Sequence, residues 1–572
     1  MEKLSRFVPL LGQISTYDRA KFSSDLIAAT VVTIMLIPQS LAYAMLAGLP
    51  AELGLYASIF PLLAYALFGS CKTLAVGPVA IASLMTASAL GKVTALGIIG
   101  YVEGAMLLAL LSGIFLLLLG VFRLGFISNF LSHPVVVGFI TASGLVIALS
   151  QFKHILGIKA EGHNFVEIVY STISNLTQFN TYTLIIGVCS VLFLFWARQG
   201  SAKLLERFGI SKSLAFSLSK AAPVVGVAVT TLVVSQFGLD KQGVAIVGTI
   251  PTGMPSLVLP SFSWAAVEAL FVPAVLISII GYVESVSVGR TLSAKKRERI
   301  DGNQELIALG AANIASGMSG AFPVTGGFAR SVVNYDAGAE TQFAAIFTAV
   351  GISLAALFLT PLLHYLPIAM LAATIIVAVL SLVDFSIFKR AWDFSKSDFA
   401  AVSITVFLTL LMGVEIGVAS GIIASILLLL HHTSKPHIAE VGLLPNSEHF
   451  RNILHFDVEC HPSVLSLRVD ESLLFSNVSY LEEYISDLIT KRPDAKAVIL
   501  DCAAINTIDL SAVEMLEALN HRLSHQNIAL HLSEVKVPVQ RLLKRSGLLE
   551  ELTGEMHLSQ YDAYQSLVKH YE

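Results

Sequence analysis

Charge is what this 572-residue chain has least of. Asp, Glu, Lys and Arg together make up 13% of it, against 55% hydrophobic residues, whereas soluble domains carry about a quarter charged residues. That shortage excludes one large soluble globule. With a mean hydropathy of +0.75 it points to a polytopic membrane protein. Cysteine is scarce as well. Cys71, Cys189, Cys460 and Cys502 are scattered with no CxxC pair, which argues against a zinc site or a disulfide framework. No His, Cys, Asp or Glu spacing has the form of a metal site, and there is no glycine-rich phosphate loop or nucleophile elbow. Neither catalysis, a resident cofactor, a bound metal, ATP-driven pumping nor a nucleic-acid partner is expected. The stretch MEKLSRFVPLLGQISTYDRAKFSSD carries charges throughout and lacks the apolar run and cleavage site of a signal peptide. It reads as a cytoplasmic lead-in over residues 1–24, with the first span directing insertion.

The net charge of −4 says little, because the charges are unevenly placed. They are sparse from Asp25 to His432 and reach soluble density from Ser434 onward, so residues 25–432 read as a transmembrane domain and 433–572 as a cytoplasmic one. A window of about 19 residues finds fourteen apolar elements in the first part. Those beginning at Leu74 and Pro323 are too short for a full crossing of roughly 20 residues and have Gly and Pro at one end, which suits half-helices. Basic clusters in RQGSAKLLERFGISKSLAFSLSK (198–220), SAKKRER (293–299) and FKRAWDFSK (388–396) fall after the sixth, eighth and twelfth elements. All three lie on the side of the N-terminus, and positive charge marks the cytoplasmic side, so both termini are expected inside. In the tail, VLSLRVD (464–470), KAVILDC (496–502) and IALHLSEV (528–535) read as strands alternating with amphipathic helices, which implies a small α/β domain with a partly parallel sheet.

Two interrupted stretches occupy comparable places in the two halves of the membrane part. CKTLAVGPVAIAS (71–83) follows PQSLAYAM (38–45), and SGAFPVTGGFARS (319–331) follows GYVESVSVGR (281–290). Paired broken segments of this kind point to a transporter's binding site. A half-helix that starts inside the membrane leaves its first N–H groups unpaired at the positive end of its dipole. Two such starts facing each other make an anion pocket. In this reading Gly77, Gly326 and Gly327 let backbone approach the ligand, and Pro78 and Pro323 mark the breaks. Arg330 supplies a positive field, with pairing to a carboxylate or to backbone carbonyls as its structural alternative. Glu284, in VLISIIGYVESVSVGR, is the other costly residue. Desolvation there favours the neutral acid and suits it to carry a proton; a fixed pair with Arg290 or Arg330 is the alternative.

The run DGNQELIALGAANIASGMSGAFPVTGGFARS (301–331), with PQSLAYAMLAGLP (38–50), GLYASIFPLLAYALFGS (54–70) and AVGPVAIASL (75–84), resembles the sulfate permease (SulP) anion transporters, whose animal relatives include prestin and pendrin. The tail, with ILDCAAINTIDLSAVEML (499–516), resembles a STAS domain, itself similar to anti-sigma-factor antagonists. The resemblance implies an α-helical polytopic membrane protein of fourteen spans. These form two inverted seven-span repeats, uracil-permease-like with core and gate domains, and a cytosolic α/β STAS domain follows. It further implies elevator-type alternating access, a homodimer in a bacterial inner membrane, and a cytosolic regulatory partner at the STAS domain. Carried over by motif, the substrate pocket uses Gln39, Tyr43, Pro78, Val79, Gly327, Phe328 and Ala329 with Arg330 beside them. Vertebrate relatives often have serines at the positions of Gly327 and Ala329, so backbone donors must do more here. Glu284 matches the acidic position of relatives thought to be proton-coupled. A sodium-coupled bicarbonate relative has an aspartate there and a threonine one turn on; Val288 stands at that later position, which disfavours sodium.

These readings lead to a secondary transporter of a small inorganic or carboxylate anion, with sulfate by proton symport ahead. A sodium-coupled bicarbonate carrier, a proton-coupled dicarboxylate carrier and a non-transporting anion sensor signalling through the STAS domain remain as alternatives. Ser511 falls where anti-sigma antagonists carry their phosphorylated serine. A helix cap ahead of AVEMLEAL is the preferred reading, and regulation the other.

Overall fold

The structure is a computed structural model that describes residues 8–129, 132–162, 164–207, 209, 219 and 222–572. The first residues of the lead-in and much of the 198–220 basic cluster lie outside the described residues. The chain divides into two compact units, Met1–Ser425 and Ile426–Glu572.

In the first unit, α1 (Arg19–Leu46) starts on Asp18, whose carboxylate accepts from the Lys21 N–H, and carries an internal Pro38. Then come α2 (Phe60–Phe68), β1 (Val76–Gly77), α3 (Ala80–Ala95) and α4 (Tyr101–Val121). Next are α5 (His133–Ser150), α6 (Thr181–Arg207) and α7 (Ala222–Phe237). The second half runs α8 (Trp264–Lys295), α9 (Gly302–Met318), β2 (Thr325–Gly326), α10 (Phe328–Asp336) and α11 (Phe343–Phe358). It closes with α12 (Ile368–Leu380), α13 (Lys396–Met412) and α14 (Val414–Ser434), the last of which runs across the boundary between the units. Among the described residues, six helices are long and apolar enough to cross a membrane, and six more apolar helices are shorter.

Glycines set the closest helix crossings. A Cβ on Gly113 of α4 would come within 2.8 Å of the Gly310 carbonyl on α9, and one on Gly310 within 2.8 Å of the Leu117 nitrogen on α4. The two backbones therefore touch, the small-residue packing that membrane helices favour. Helices α1–α4 pack with α8–α11 as one bundle, and α5–α7 pack with α12 and α13 as another. Gly421 of α14 abuts Val135 of α5.

Two buried carboxylates, Glu305 and Asp25, are fully engaged. Glu305 of α9 accepts from the Tyr65 hydroxyl (2.8 Å), the Ser70 N–H (2.8 Å) and hydroxyl (2.7 Å), and the Cys71 N–H (3.0 Å). It thereby fixes the chain just before β1. Asp25 of α1 accepts from the N–H groups of Glu340 and Thr341 ahead of α11.

The second unit holds a six-stranded sheet in the order β4-β3-β5-β6-β7-β8. Its strands are β3 (Ile438–Leu443), β4 (Phe450–Asn452), β5 (Val464–Val469), β6 (Ala497–Asp501), β7 (Ala529–Ser533) and β8 (Met556–His557). Strands β5 to β8 run parallel, and β3 is antiparallel to its neighbours. The three strands expected from the sequence are β5, β6 and β7. Helices α15 (Val478–Lys491), α16 (Leu510–His525), α17 (Val537–Ser546) and α18 (Gln560–Tyr571) cover apolar clusters on the two sheet faces, around Leu467, Leu481 and Leu516 on one and Ile499 and Tyr564 on the other.

Candidate functional site

Both interrupted stretches become the same device, a two-residue strand followed by a helix. β1 and β2 pair antiparallel, Val76 opposite Gly326 and Gly77 opposite Thr325, so the two strands lie side by side inside the first unit. Each hands the chain directly to a helix with no side-chain cap: α3 after Val79 and α10 after Gly327. The first N–H groups of both helices have no intrahelical acceptor. The residues at both starts, Val79 to Ile81 and Gly327 to Arg330, line one cavity. Two positive dipole ends thus meet on one space.

The other walls of that cavity are Gln39 and Tyr43 of α1, Pro78, Glu284 of α8, and Ala378 and Leu382 from the α12 end. Gln39 Nε2 donates to the Tyr43 hydroxyl at 2.8 Å, which leaves the Tyr43 proton free to donate into the cavity. Half a turn of the amide reverses that bond and presents Nε2 instead. Either arrangement offers a donor to an anion.

Arg330 is 2% exposed. Its Nε donates to the Ala75 carbonyl and its Nη2 to the Thr325 carbonyl, both at 3.0 Å, so the guanidinium ties the chain ahead of one half-helix to the chain ahead of the other. Nη1 is buried with no partner. The expected carbonyl pairing and a charge left for the cavity therefore coexist in one side chain.

The glycines do something other than expected. Gly77 and Gly326 are not among the lining residues. The Gly326 N–H donates to the Ser285 hydroxyl at 2.8 Å, and the Gly327 N–H to the Ala75 carbonyl at 3.1 Å, so neither is a free donor. Their role is steric: a Cβ on Gly77 would stand 3.0 Å from Arg330 Nη1, and one on Gly327 2.6 Å from Arg330 Nε. The glycines form the slot in which the guanidinium lies, and the unpaired donors belong to the residues after them.

Glu284 makes no ion pair or hydrogen bond among the described residues, and its Oε2 is buried without a partner. The fixed pairing with Arg290 or Arg330 is absent; Arg290 reaches the Ser128 hydroxyl at 3.5 Å. Val288, one turn on, is buried and brings no oxygen. In the second unit the α16 cap is Asp509, which accepts from the Ala512 N–H at 2.9 Å, rather than Ser511, which is exposed in the first turn.

Sequence reasoning passed over Ser285, Ala75, Ala378 and Leu382. Ser285 adjoins Glu284 in YVES and was within reach of the motif. Ala75 acts through its backbone, and Ala378 and Leu382 are apolar residues in an apolar stretch, so they left no signal.

Comparison with known proteins shows the family and the fold. The profile of the sulfate permease family matches residues 22–405, and that of the STAS domain residues 455–563. The chain belongs to the sulfate permease family. It is 36% identical over 556 residues to sulfate transporter 4.1, chloroplastic, of Arabidopsis thaliana, covering 95% of this chain and 79% of the relative. Its fold matches the murine Solute Carrier 26 family member A9 anion transporter with a TM-score of 0.89 at 24% identity, over 98% of this chain and 94% of the other. The transmembrane domain of the cyanobacterial bicarbonate transporter BicA matches with a TM-score of 0.60 at 19% identity, over 72% of this chain and 98% of that domain. The chain is thus a multi-pass membrane protein of this family with a C-terminal STAS domain, and its curated relatives are transporters rather than enzymes.

Proposed function

We propose that the protein is a secondary transporter of sulfate driven by proton symport. The observation that carries this reading is the convergence of two uncapped half-helix starts, the buried Arg330 and the unpartnered Glu284 on one cavity. An anion there meets N–H donors from residues 80–82 and 328–330, the Tyr43–Gln39 pair and the field of Arg330. Phe328, exposed at the cavity wall, shapes its mouth. Glu284 is the proton carrier: when neutral it removes a negative charge from beside the anion, so proton and anion bind favourably together. The names of the plant relatives favour sulfate over other anions.

In the same reading the fourteen elements are two inverted sevenfold repeats, each with its strand–helix device third. The α1–α4/α8–α11 bundle moves against the other in an elevator-type cycle. Both termini face the cytoplasm of a bacterial cell, the protein works as a homodimer, and the STAS domain receives a regulatory partner. Ser511, exposed at the start of α16, is its point of modification.

The test is uptake into proteoliposomes of labelled sulfate, bicarbonate and fumarate under imposed pH or sodium gradients. Sulfate accumulation that follows the pH gradient and fails in Glu284→Gln supports the proposal. Accumulation that follows sodium would move the assignment to the bicarbonate type of carrier. Anion binding without flux of any kind would make the protein a sensor.

A further inference from the structure

Glu284 lines a second cavity besides the one at the half-helix starts, and among the described residues it is the only one the two share. The second space lies where α8 faces α5 and α14. Its walls include Val135, Phe139, Ile140, Val283, Val418 and Ile422, and among the described residues Glu284 is the one polar side chain in it. The backbones of α5, α8 and α14 are helical along these residues, so their polar groups are already paired. Buried water needs two to four polar partners, and apolar cavities stay dry. One carboxyl oxygen cannot hold a water chain there.

The two faces of Glu284 are therefore unlike. On the half-helix side it meets Tyr43 of α1 and Arg330 of α10, together with the N-terminal turns of α3 and α10. On the other side α5 and α14 bring no titratable group to the cavity. His133 and Glu415 sit in the first turns of those helices, outside its lining. Helices α4 and α9 pack along α8, and neither Glu103 nor Glu305 lines either space.

We propose that this apolar cavity is an insulating wall for protons, so that Glu284 exchanges its proton solely with the cavity that takes the anion. The proposal rests on the proton-coupling role given to Glu284 above. A hydronium ion in the anion cavity gives its proton to a Glu284 oxygen and leaves as water; release runs the same step backward into the same cavity. Tight coupling follows from the missing second route. A dry apolar constriction blocks ion passage as it does in channel gates, and Val135, Phe139, Val418 and Ile422 are the residues that set how tightly proton and anion flow are linked.

The experiment uses the full chain in proteoliposomes with a pH dye inside, a clamped membrane potential and no transportable anion. Val418→Thr, close to isosteric, and Ile422→Asn each place a polar group in the wall. The expected result is a several-fold rise in proton entry over wild type, lost again when Glu284→Gln is added. The inference is overturned if variants that retain sulfate uptake stay as proton-tight as wild type, or if the leak survives Glu284→Gln. Should Ile422→Asn fail to fold, Val418→Thr carries the test. Failure of the coupling role itself is read separately, as wild-type sulfate uptake that brings in no protons.

Discussion

Arg330 of the second half-helix hydrogen-bonds the carbonyl of Ala75, just ahead of the first, at 3.0 Å. The same carbonyl accepts from the Gly327 N–H at 3.1 Å. One oxygen thus anchors both the strand pair and the buried charge, and so ties the two half-helices together. Replacing Arg330 by methionine keeps bulk but removes two charge-assisted bonds, and leaves the Thr325 carbonyl without its guanidinium donor. The expected cost is on the order of 3 kcal/mol, read as a fall in the melting temperature of the purified protein together with loss of sulfate uptake. Arg330→Lys keeps the charge but cannot bridge both carbonyls, so it should recover part of the stability and little of the transport.

The glycine slot makes a sharper prediction. A side chain at 327 has no room beside Arg330 Nε, and its collision partner is itself held by two hydrogen bonds. Gly327→Ala should therefore push the guanidinium out of place and cost about 1–3 kcal/mol, with weakened anion binding in calorimetric titration. If Gly327→Ser bound the anion as tightly as wild type, the slot would be dispensable.

How much of this was legible beforehand depends on what kind of group does the work. The half-helices were readable because Gly77 and Pro78, and Pro323 with the Gly326–Gly327 pair, break apolar stretches. Arg330 and Glu284 stood out because a charge inside a membrane is costly. What those glycines do was not readable: a glycine in sequence announces an approach without naming what approaches, and here it is a guanidinium rather than the ligand. The Ala75 carbonyl and the Ser285 hydroxyl act by position in three dimensions, across hundreds of residues in one case and about forty in the other. In the second unit the strand–helix alternation was plain, but β4 and β8 are only three and two residues long, too short to show a period.

Glu305 lies in DGNQEL, outside the cavity lining, and its carboxylate accepts four hydrogen bonds from Tyr65, Ser70 and Cys71. It holds the turn that leads into β1, so it positions the first half-helix from a distance. Glu305→Gln exchanges one accepting oxygen for a donor that faces other donors. The expected loss is roughly 2–4 kcal/mol of stability, seen as a lower melting temperature. The anion affinity of the folded fraction should change much less than in Arg330→Met.

At the start of α16 the division of labour between neighbours can be measured. Asp509 accepts from the Ala512 N–H and, through its other oxygen, from the Phe475 N–H at 2.7 Å. Asp509→Ala should cost about 1–2 kcal/mol of STAS-domain stability. Ser511→Ala, at an exposed position outside the cap, should stay within about 0.5 kcal/mol. Equal losses in the two variants, followed by chemical denaturation, would return the capping role to Ser511.

His531 gives the second unit a defined acid limit. Its Nδ1 accepts from the Glu555 N–H at 3.0 Å and lies 3.1 Å from His557 Nε2, an arrangement that requires the neutral ring. Burial first, and then the charge of His557, pull its pKa from 6.5 down to about 4. The folded form therefore binds a proton less readily than the unfolded chain, and the unfolded state holds more protons between those values. Stability contributed by the neutral ring is complete above pH 6.5 and falls as the pH drops toward 4, where the folded ring too becomes charged. Hydrogen exchange over residues 529–557, corrected for the intrinsic rate, should show protection of the Glu555 amide at pH 7 that declines through this window. His531→Gln, which never gains the charge, should flatten that decline; an unchanged profile would remove His531 as its cause.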